Sequence, residues 1–171
     1  ILFFSLEMSK EQLIYRLLAS EAEINHLRLR SGDISKEDWL ILNKIIRKLS
    51  ALPFFIDDTP NLSISDIRQK IKKIIFEQTQ VGLIIIDYLQ LMQNPNIQMD
   101  NRVQELSNIT RSLKLMAREF NVPIIALSQL SRTVESRINK RPILSDLRES
   151  GSIEQDADLV LMLYRDSYYN S

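Results

Sequence analysis

A short run of aliphatic residues that ends in a carboxylate, from Leu83 to Asp87, constrains the fold more than any other feature of this sequence. The run is too short for a typical helix, and it does not alternate with polar residues as a strand with one solvated face does. Further apolar runs lie at 1–5, 54–56, 123–128 and 159–164. Because strands buried on both faces have this composition, the sequence predicts a parallel sheet.

Segments with helical periodicity separate these runs. A capping-box spacing at Ser9–Gln12 predicts a helix to about Ser20, and apolar periodicity predicts helices at 35–50, 63–78 and 100–120. Trp39 is expected in the core, and residues 129–158 are expected to be mostly irregular. The helix at 100–120 carries a predicted inner stripe of Val103, Leu106, Thr110, Leu113, Ala117 and Phe120. The alternation of strands and helices predicts one α/β domain over 1–171, with helices on both faces of the sheet.

The composition excludes several kinds of site. The chain has 171 residues, no cysteine and a single histidine, so a disulfide, a cysteine nucleophile and a multi-histidine metal centre are excluded. Its three glycines cannot form a Gly-rich dinucleotide-binding loop or a Walker A phosphate loop. Lys+Arg and Asp+Glu both number 22, so bulk positive charge cannot hold nucleic acid. No apolar run approaches the roughly 20 residues that span a bilayer, so we expect no membrane association.

Polar residues follow four of the predicted strands at the point where each strand ends, and at three of these ends they are candidate ligand-binding residues. Glu7, Asp87 and Gln129 occupy these positions, and open parallel sheets bind ligands outside the carboxyl ends of their strands. Asp87 completes a Walker B pattern, whose carboxylate orients water around nucleotide-bound Mg²⁺. Glu7 could act as a general base for the water that attacks a γ-phosphate. Gln129 could sense that phosphate through a hydrogen bond.

Each of these residues also has a structural interpretation that the sequence leaves open. An aspartate at a strand end often caps the following turn, and a glutamate just before a helix is favoured by the helix dipole alone. A glutamine in a loop is most often an ordinary hydrogen-bonded amide. Asp57 and Asp58 precede Thr59-Pro60, and we interpret them as turn residues.

A basic loop occupies residues 130–148. It contains five positive residues and two negative ones, so its net charge is +3 in a neutral chain. The residues are Arg132, Arg137, Lys140, Arg141 and Arg148 against Glu135 and Asp146. A basic loop beside the ligand-binding edge suits phosphate contacts, and a solvated charged loop is the alternative.

Four sequence segments are specific enough to indicate a family. They are FSLEMS at 4–9, IIDYLQL at 85–91, ALSQLSR at 126–132 and SDLRESGSIEQDAD at 145–158. These segments closely resemble the C-terminal, RecA-like motor domain of DnaB-type replicative DNA helicases. The resemblance covers essentially the whole chain and implies a RecA-like fold. It also implies a homohexameric ring that uses ATP and Mg²⁺ to move 5′ to 3′ on single-stranded DNA. Primase and a helicase loader are the further partners that the resemblance implies.

The resemblance also implies roles for individual residues. Glu7 matches the catalytic glutamate, Asp87 matches the Walker B aspartate that holds Mg²⁺ through water, and Gln129 matches the glutamine that couples the γ-phosphate to the DNA loops. Arg148, Glu149 and Gly151 fall in the loop that approaches DNA. Arg132, in the basic loop, is expected to bind DNA as well.

The chain departs from the family pattern at both ends. The phosphate loop of the family precedes the strand before Glu7, and its arginine finger follows the last strand; both are missing from these 171 residues. We therefore expect a piece of a longer protein, truncated at both ends, that hydrolyses little or no ATP by itself. The alternatives are a catalytically inactive RecA-like module for DNA binding or ring assembly, and another RecA-like ATPase such as a recombinase. The abundance of Ile, Lys and Asn suggests an AT-rich genome, and hence a bacterial cytoplasm or a plastid stroma.

Overall fold

A four-stranded parallel sheet organises the chain. The computed structural model describes residues 1–77, 80–92, 102–147 and 151–169. The strands are β1 (Leu2–Ser5), β2 (Phe55–Asp57), β3 (Ile84–Asp87) and β4 (Ile124–Ala126). Their order is β2-β1-β3-β4 and every pair is parallel, which confirms the predicted α/β class.

Among the described residues, five helices lie between the strands along the chain and three short helices follow β4. They are α1 (Lys10–Ala22), α2 (His26–Ser31), α3 (Lys36–Ser50), α4 (Ile64–Glu77), α5 (Arg102–Phe120), α6 (Thr133–Ser136), α7 (Gly151–Asp156) and α8 (Asp166–Tyr169). Ser9 and Ser35 start α1 and α3 with complete capping boxes, because each serine accepts from the third helical N–H and that residue's side chain accepts from the serine N–H. Two 3₁₀ turns lie at Leu89–Leu91 and Leu144–Asp146. Within the described ranges, no helix is long and apolar enough to cross a membrane.

The main core lies between one face of the sheet and helices α4 and α5. The sheet contributes Leu2, Phe4, Ile84 and Ile86, and the helices contribute Ile67, Ile71, Leu106, Ile109 and Met116; all nine side chains are fully buried. On the opposite face, Phe3 and Ile85 are half-buried and Ile125 is 47% exposed. A second cluster of Ala19, Ile24, Leu29 and Leu42 joins α1, α2 and α3.

Two predicted core positions are wrong. Trp39 is 56% exposed and Val103 is 41% exposed. In α3 only Leu42 is buried, because this helix packs on α1 along a narrow stripe that excludes Trp39. In α5 the buried stripe includes Ile109 and Met116, so the face against the sheet is rotated away from Val103.

The predicted strand at 159–164 does not form in the described part of the chain. Leu159, Leu161 and Leu163 are 74%, 77% and 87% exposed, and β4 pairs with β3 alone. The apolar composition favours a β-strand, but a strand also needs a neighbouring strand with which its backbone can form hydrogen bonds. The stretch at 129–158, predicted to be mostly irregular, contains three short elements, which are α6, a 3₁₀ turn and α7.

Neighbouring positions on α5 test this packing. Met116 is fully buried and Leu115 is 53% exposed. We expect Met116→Ala to lower the free energy of unfolding by about 2–5 kcal/mol, because it removes buried methylenes and leaves a cavity. Leu115→Ala is the matched control and should change it by about 0.5 kcal/mol or less. Denaturant titration of both variants measures the difference, and equal losses would contradict the assigned core.

Candidate active site

The pairing of β1 with β3 brings two carboxylates to one edge of the sheet. Ser5 lies opposite Asp87 in the parallel register, and the Leu6 N–H donates to the Asp87 carbonyl at 2.8 Å. Glu7 therefore leaves β1 beside the last residue of β3. Glu7 is exposed and Asp87 is partly buried.

The turn that carries Glu7 is fixed on both sides. The hydroxyl of Ser5, which is 1% exposed, donates to the Met8 carbonyl at 2.6 Å and accepts from the Met8 N–H at 3.3 Å. Ser9 and Gln12 then form the helix cap. Because the capping groups are supplied by these two residues, Glu7 takes no part in the cap and its carboxylate faces solvent.

The two carboxylates influence one another electrostatically. Burial raises the pKa of the Asp87 carboxyl above its ordinary value, the Glu7 carboxylate raises that pKa further, and Arg16 lowers it in part. Repulsion between like charges at a sheet edge is relieved when a cation binds. Among the described residues, no group of three or more His, Cys, Asp or Glu could hold a metal ion. An ion at Asp87 would therefore need oxygen ligands from water and phosphate.

Gln129 follows β4 at the same edge, and a residue that the sequence analysis did not single out holds its backbone. The Gln129 N–H donates to Gln90 Oε1 at 3.3 Å, and Gln90 Nε2 donates to Ser128 Oγ at 2.9 Å. Gln90 lies in the 3₁₀ turn three residues after Asp87. Gln90 belongs to the same sequence segment as Asp87, and this proximity is the sequence feature that could have identified it.

A buried carboxylate, that of Asp146, connects separate parts of the basic loop through hydrogen bonds. Asp146 is 4% exposed, accepts from the Arg137 guanidinium, and accepts from the Ile143 N–H at 2.8 Å. Its carbonyl accepts from the Ser131 N–H at 2.7 Å. The loop therefore returns to the segment that follows Gln129.

The predicted DNA-binding residues lie in different parts of this region. Arg132 is exposed at the start of α6, and Gly151 is the first residue of α7. Arg148 and Glu149 lie outside the described residues. The Asp156 carboxylate ties α7 to α5 by accepting from Thr110 Oγ1 at 2.6 Å.

The structure confirms the turn interpretation of the two aspartates at the end of β2, where Asp57 is the last strand residue and Asp58 follows it. Asp57 accepts from the Thr59 N–H at 3.0 Å and pairs with Lys70 Nζ at 2.5 Å. Asp58 accepts from the Lys10 N–H at 3.0 Å, which connects this turn to the start of α1.

Comparison with known proteins agrees with this geometry. Residues 1–171 match the family model described as DnaB-like helicase C terminal domain. The chain belongs to this family. The match over the whole chain confirms the resemblance noted in its four sequence segments.

The relatives in this family are longer than the chain. A probable replicative DNA helicase of Trieres chinensis is 75% identical over 171 residues, which are 100% of this chain and 38% of that protein. The replicative DNA helicase DnaB of Geobacillus stearothermophilus is 54% identical over 170 residues, which are 99% of this chain and 37% of that protein. The chain thus spans less than two fifths of the length of these curated relatives.

Solved structures support the same assignment of fold. A DnaB-like replicative helicase, solved in a study of its interactions with primase, has a TM-score of 0.90 and 43% identity, covering 99% of this chain and 41% of that chain. A structure described as an ATPase domain has the same TM-score and identity and covers 99% of this chain and 60% of its own. The RecA-like fold is therefore shown.

The raised pKa of Asp87 has a consequence for stability. When the pKa of a carboxyl is higher in the folded state than in the unfolded state, the protein loses folding stability as the pH rises from the unfolded-state pKa through the folded-state pKa. We therefore expect Asp87→Asn to increase the free energy of unfolding at neutral pH, and the gain to disappear at a pH below both pKa values. Denaturant titration across pH measures this. Asp33→Asn, at an 80% exposed side chain, is the control, and an equal gain in both variants would contradict the assignment.

Proposed function

We propose that the protein containing this chain is an ATP-driven replicative DNA helicase and that residues 1–171 are the central part of its motor domain. The supporting observation is the convergence of Glu7, Asp87 and Gln129 on one edge of the sheet in a member of the DnaB-like family. A parallel sheet of this kind binds ligands at that edge.

The three residues then have distinct roles. Glu7 accepts a proton from the water that attacks the γ-phosphate of ATP. Asp87 would hold Mg²⁺, and Gln129 would contact both the nucleotide and the segment that follows it. Mg²⁺, when bound, neutralises negative charge on the phosphates. The paired carboxylates and the raised pKa of Asp87 fit a site that attracts a cation.

The DNA-binding side of the proposal rests on the basic loop and the segment after it. Arg132, Arg148, Glu149 and Gly151 would lie along single-stranded DNA in a homohexameric ring that moves 5′ to 3′. Primase and a helicase loader are the proposed partners, within a primosome. The relative from Trieres chinensis, a plastid-bearing organism, supports a plastid stroma over a bacterial cytoplasm.

Replacement of the proposed base tests the catalytic assignment. In the full-length protein, Glu7→Gln should reduce ATP hydrolysis at least about 100-fold and leave nucleotide binding in place, because the amide keeps the shape but cannot accept the proton. Steady-state hydrolysis and equilibrium binding of ATP measure the two effects. Glu37→Gln, at an exposed position in α3, is the matched control.

The outcome separates the motor from the alternative function. If the unaltered full-length protein hydrolyses no ATP and still binds DNA or assembles into a ring, the inactive RecA-like module is the correct description. Full activity in Glu7→Gln would instead show that another group activates the water.

The exposed arginine of α6 tests the DNA-binding assignment. We expect Arg132→Ala in the full-length protein to weaken binding of single-stranded DNA, since it removes one phosphate contact. The slope of log K against log salt concentration should become shallower by about 0.7. Titration of labelled oligonucleotide at several salt concentrations measures the slope. Arg30→Ala in α2 is the control, and an unchanged slope for Arg132→Ala would exclude Arg132 from the DNA contact.

A further inference from the structure

Hydrogen bonding between β3 and β4 does not stop where the strand backbones separate. The last strand contacts are the Leu127 N–H to the Ile86 carbonyl at 2.9 Å and the Leu89 N–H to the Leu127 carbonyl at 3.0 Å. Beyond Leu89 the chain from β3 winds into a 3₁₀ turn, in which the Leu91 N–H donates to the Tyr88 carbonyl at 3.0 Å. Among the described residues, the backbone hydrogen bonds between these two segments end at Leu89, and none of them reaches Ser128 or Gln129.

The side chain of Gln90 takes over at this point. Its Oε1 accepts from the Gln129 N–H at 3.3 Å, while its Nε2 donates to Ser128 Oγ at 2.9 Å and lies 3.5 Å from the Gln129 carbonyl. A carboxamide has the same donor and acceptor as a peptide group. Gln90 therefore holds the Gln129 backbone as a neighbouring strand would.

Gln90 is itself held in place from α5. The Arg102 guanidinium donates to the Gln90 carbonyl at 2.6 Å and forms an ion pair with Glu105. Arg102 and Glu105 are both largely covered, with side-chain exposures of 35% and 18%. The Gln90 side chain and its hydrogen bonds to Ser128 and Gln129 form a bridge between the two segments. This bridge starts from an anchored backbone, and the length of one side chain sets the distance that it can span to Gln129.

We propose that Gln90 is a positioning residue that fixes Gln129 relative to Asp87. This inference rests on the proposed function, because it assigns Gln90 to the coupling of nucleotide and DNA through Gln129. Asp87 ends β3, and Gln90 lies in the 3₁₀ turn that begins two residues later, so the Gln90 side chain connects the carboxyl end of β3 to the residues after β4. Without the bridge, the Gln129 backbone is released from β3.

The test uses the full-length protein with Gln90→Met, which keeps an unbranched side chain of similar length and removes the amide. We expect the kcat for ATP hydrolysis in the presence of single-stranded DNA to fall about tenfold, which corresponds to 1.4 kcal/mol in the barrier. The ratio of the hydrolysis rate with single-stranded DNA to the rate without it should therefore fall. Gln69→Met, at an exposed position in α4, is the matched control.

A second variant keeps the test decisive if Gln90→Met does not fold. Gln90→Asn retains the amide on a shorter side chain that cannot span to Gln129, so it should also lose DNA stimulation. A Gln129→Ala variant completes a double-mutant cycle, in which adding the Gln90 change should cause little further loss, because both changes remove the same coupling. A purely structural role would instead lower Tm and reduce activity equally with and without DNA.

The results separate failure of the inference from failure of the proposed function. Unaltered protein without DNA-stimulated hydrolysis would overturn the proposed function and the inference together. Normal stimulation in the unaltered protein and in both Gln90 variants, or losses that add in the double-mutant cycle, would overturn the role of Gln90 alone.

Discussion

The parallel pairing of β1 with β3 is the constraint on which the rest of the structure depends. Leu2 lies opposite Ile84 and Phe4 opposite Ile86, and all four side chains are fully buried against α4 and α5. A slip of one residue would turn the apolar side chains of one strand to the opposite face. Burial therefore fixes the register, and the register places Ser5 opposite Asp87. The hydrophobic core thus determines the position of the two carboxylates.

The same arrangement disfavours the ionised form of Asp87 at this edge of the sheet. A strand end that holds its carboxylate rigidly also removes part of that carboxylate from water, and the Glu7 charge adds to the cost of ionisation, as the raised pKa of Asp87 shows. Two other partly or fully buried aspartates in this chain have a basic partner, since Asp57 pairs with Lys70 and Asp146 pairs with Arg137. Asp87 has no such compensating ion pair within the described residues, which supports the proposal that a cation binds beside it.

Features set by local sequence could be predicted, and features set by distant partners could not. The four strands of the sheet and the capped start of α1 follow from short segments and were predicted correctly. The exposure of Trp39 depends on how narrow the contact between α3 and α1 is, and the strand at 159–164 depends on a ladder partner. Gln90 lies in a segment that the sequence analysis considered, but its contacts with Ser128 and Gln129 depend on where β4 ends in space. Carboxylates at strand ends were accessible to prediction because a parallel sheet always aligns them.

The basic loop shows why net charge from sequence overstates the charge available to a partner. Arg137 pairs with buried Asp146, while Lys140 and Arg141 lie over the rings of Tyr169 and Tyr164 at 5.1 and 5.0 Å from the ring centroids. Cations placed over aromatic rings gain energy that a phosphate contact must exceed. In the described part of the loop, Arg132 is the cation that no ion pair or ring contact engages. In the proposed complex with DNA, Arg132 would therefore reach a phosphate without breaking such a contact, whereas Lys140 and Arg141 would have to leave their tyrosines.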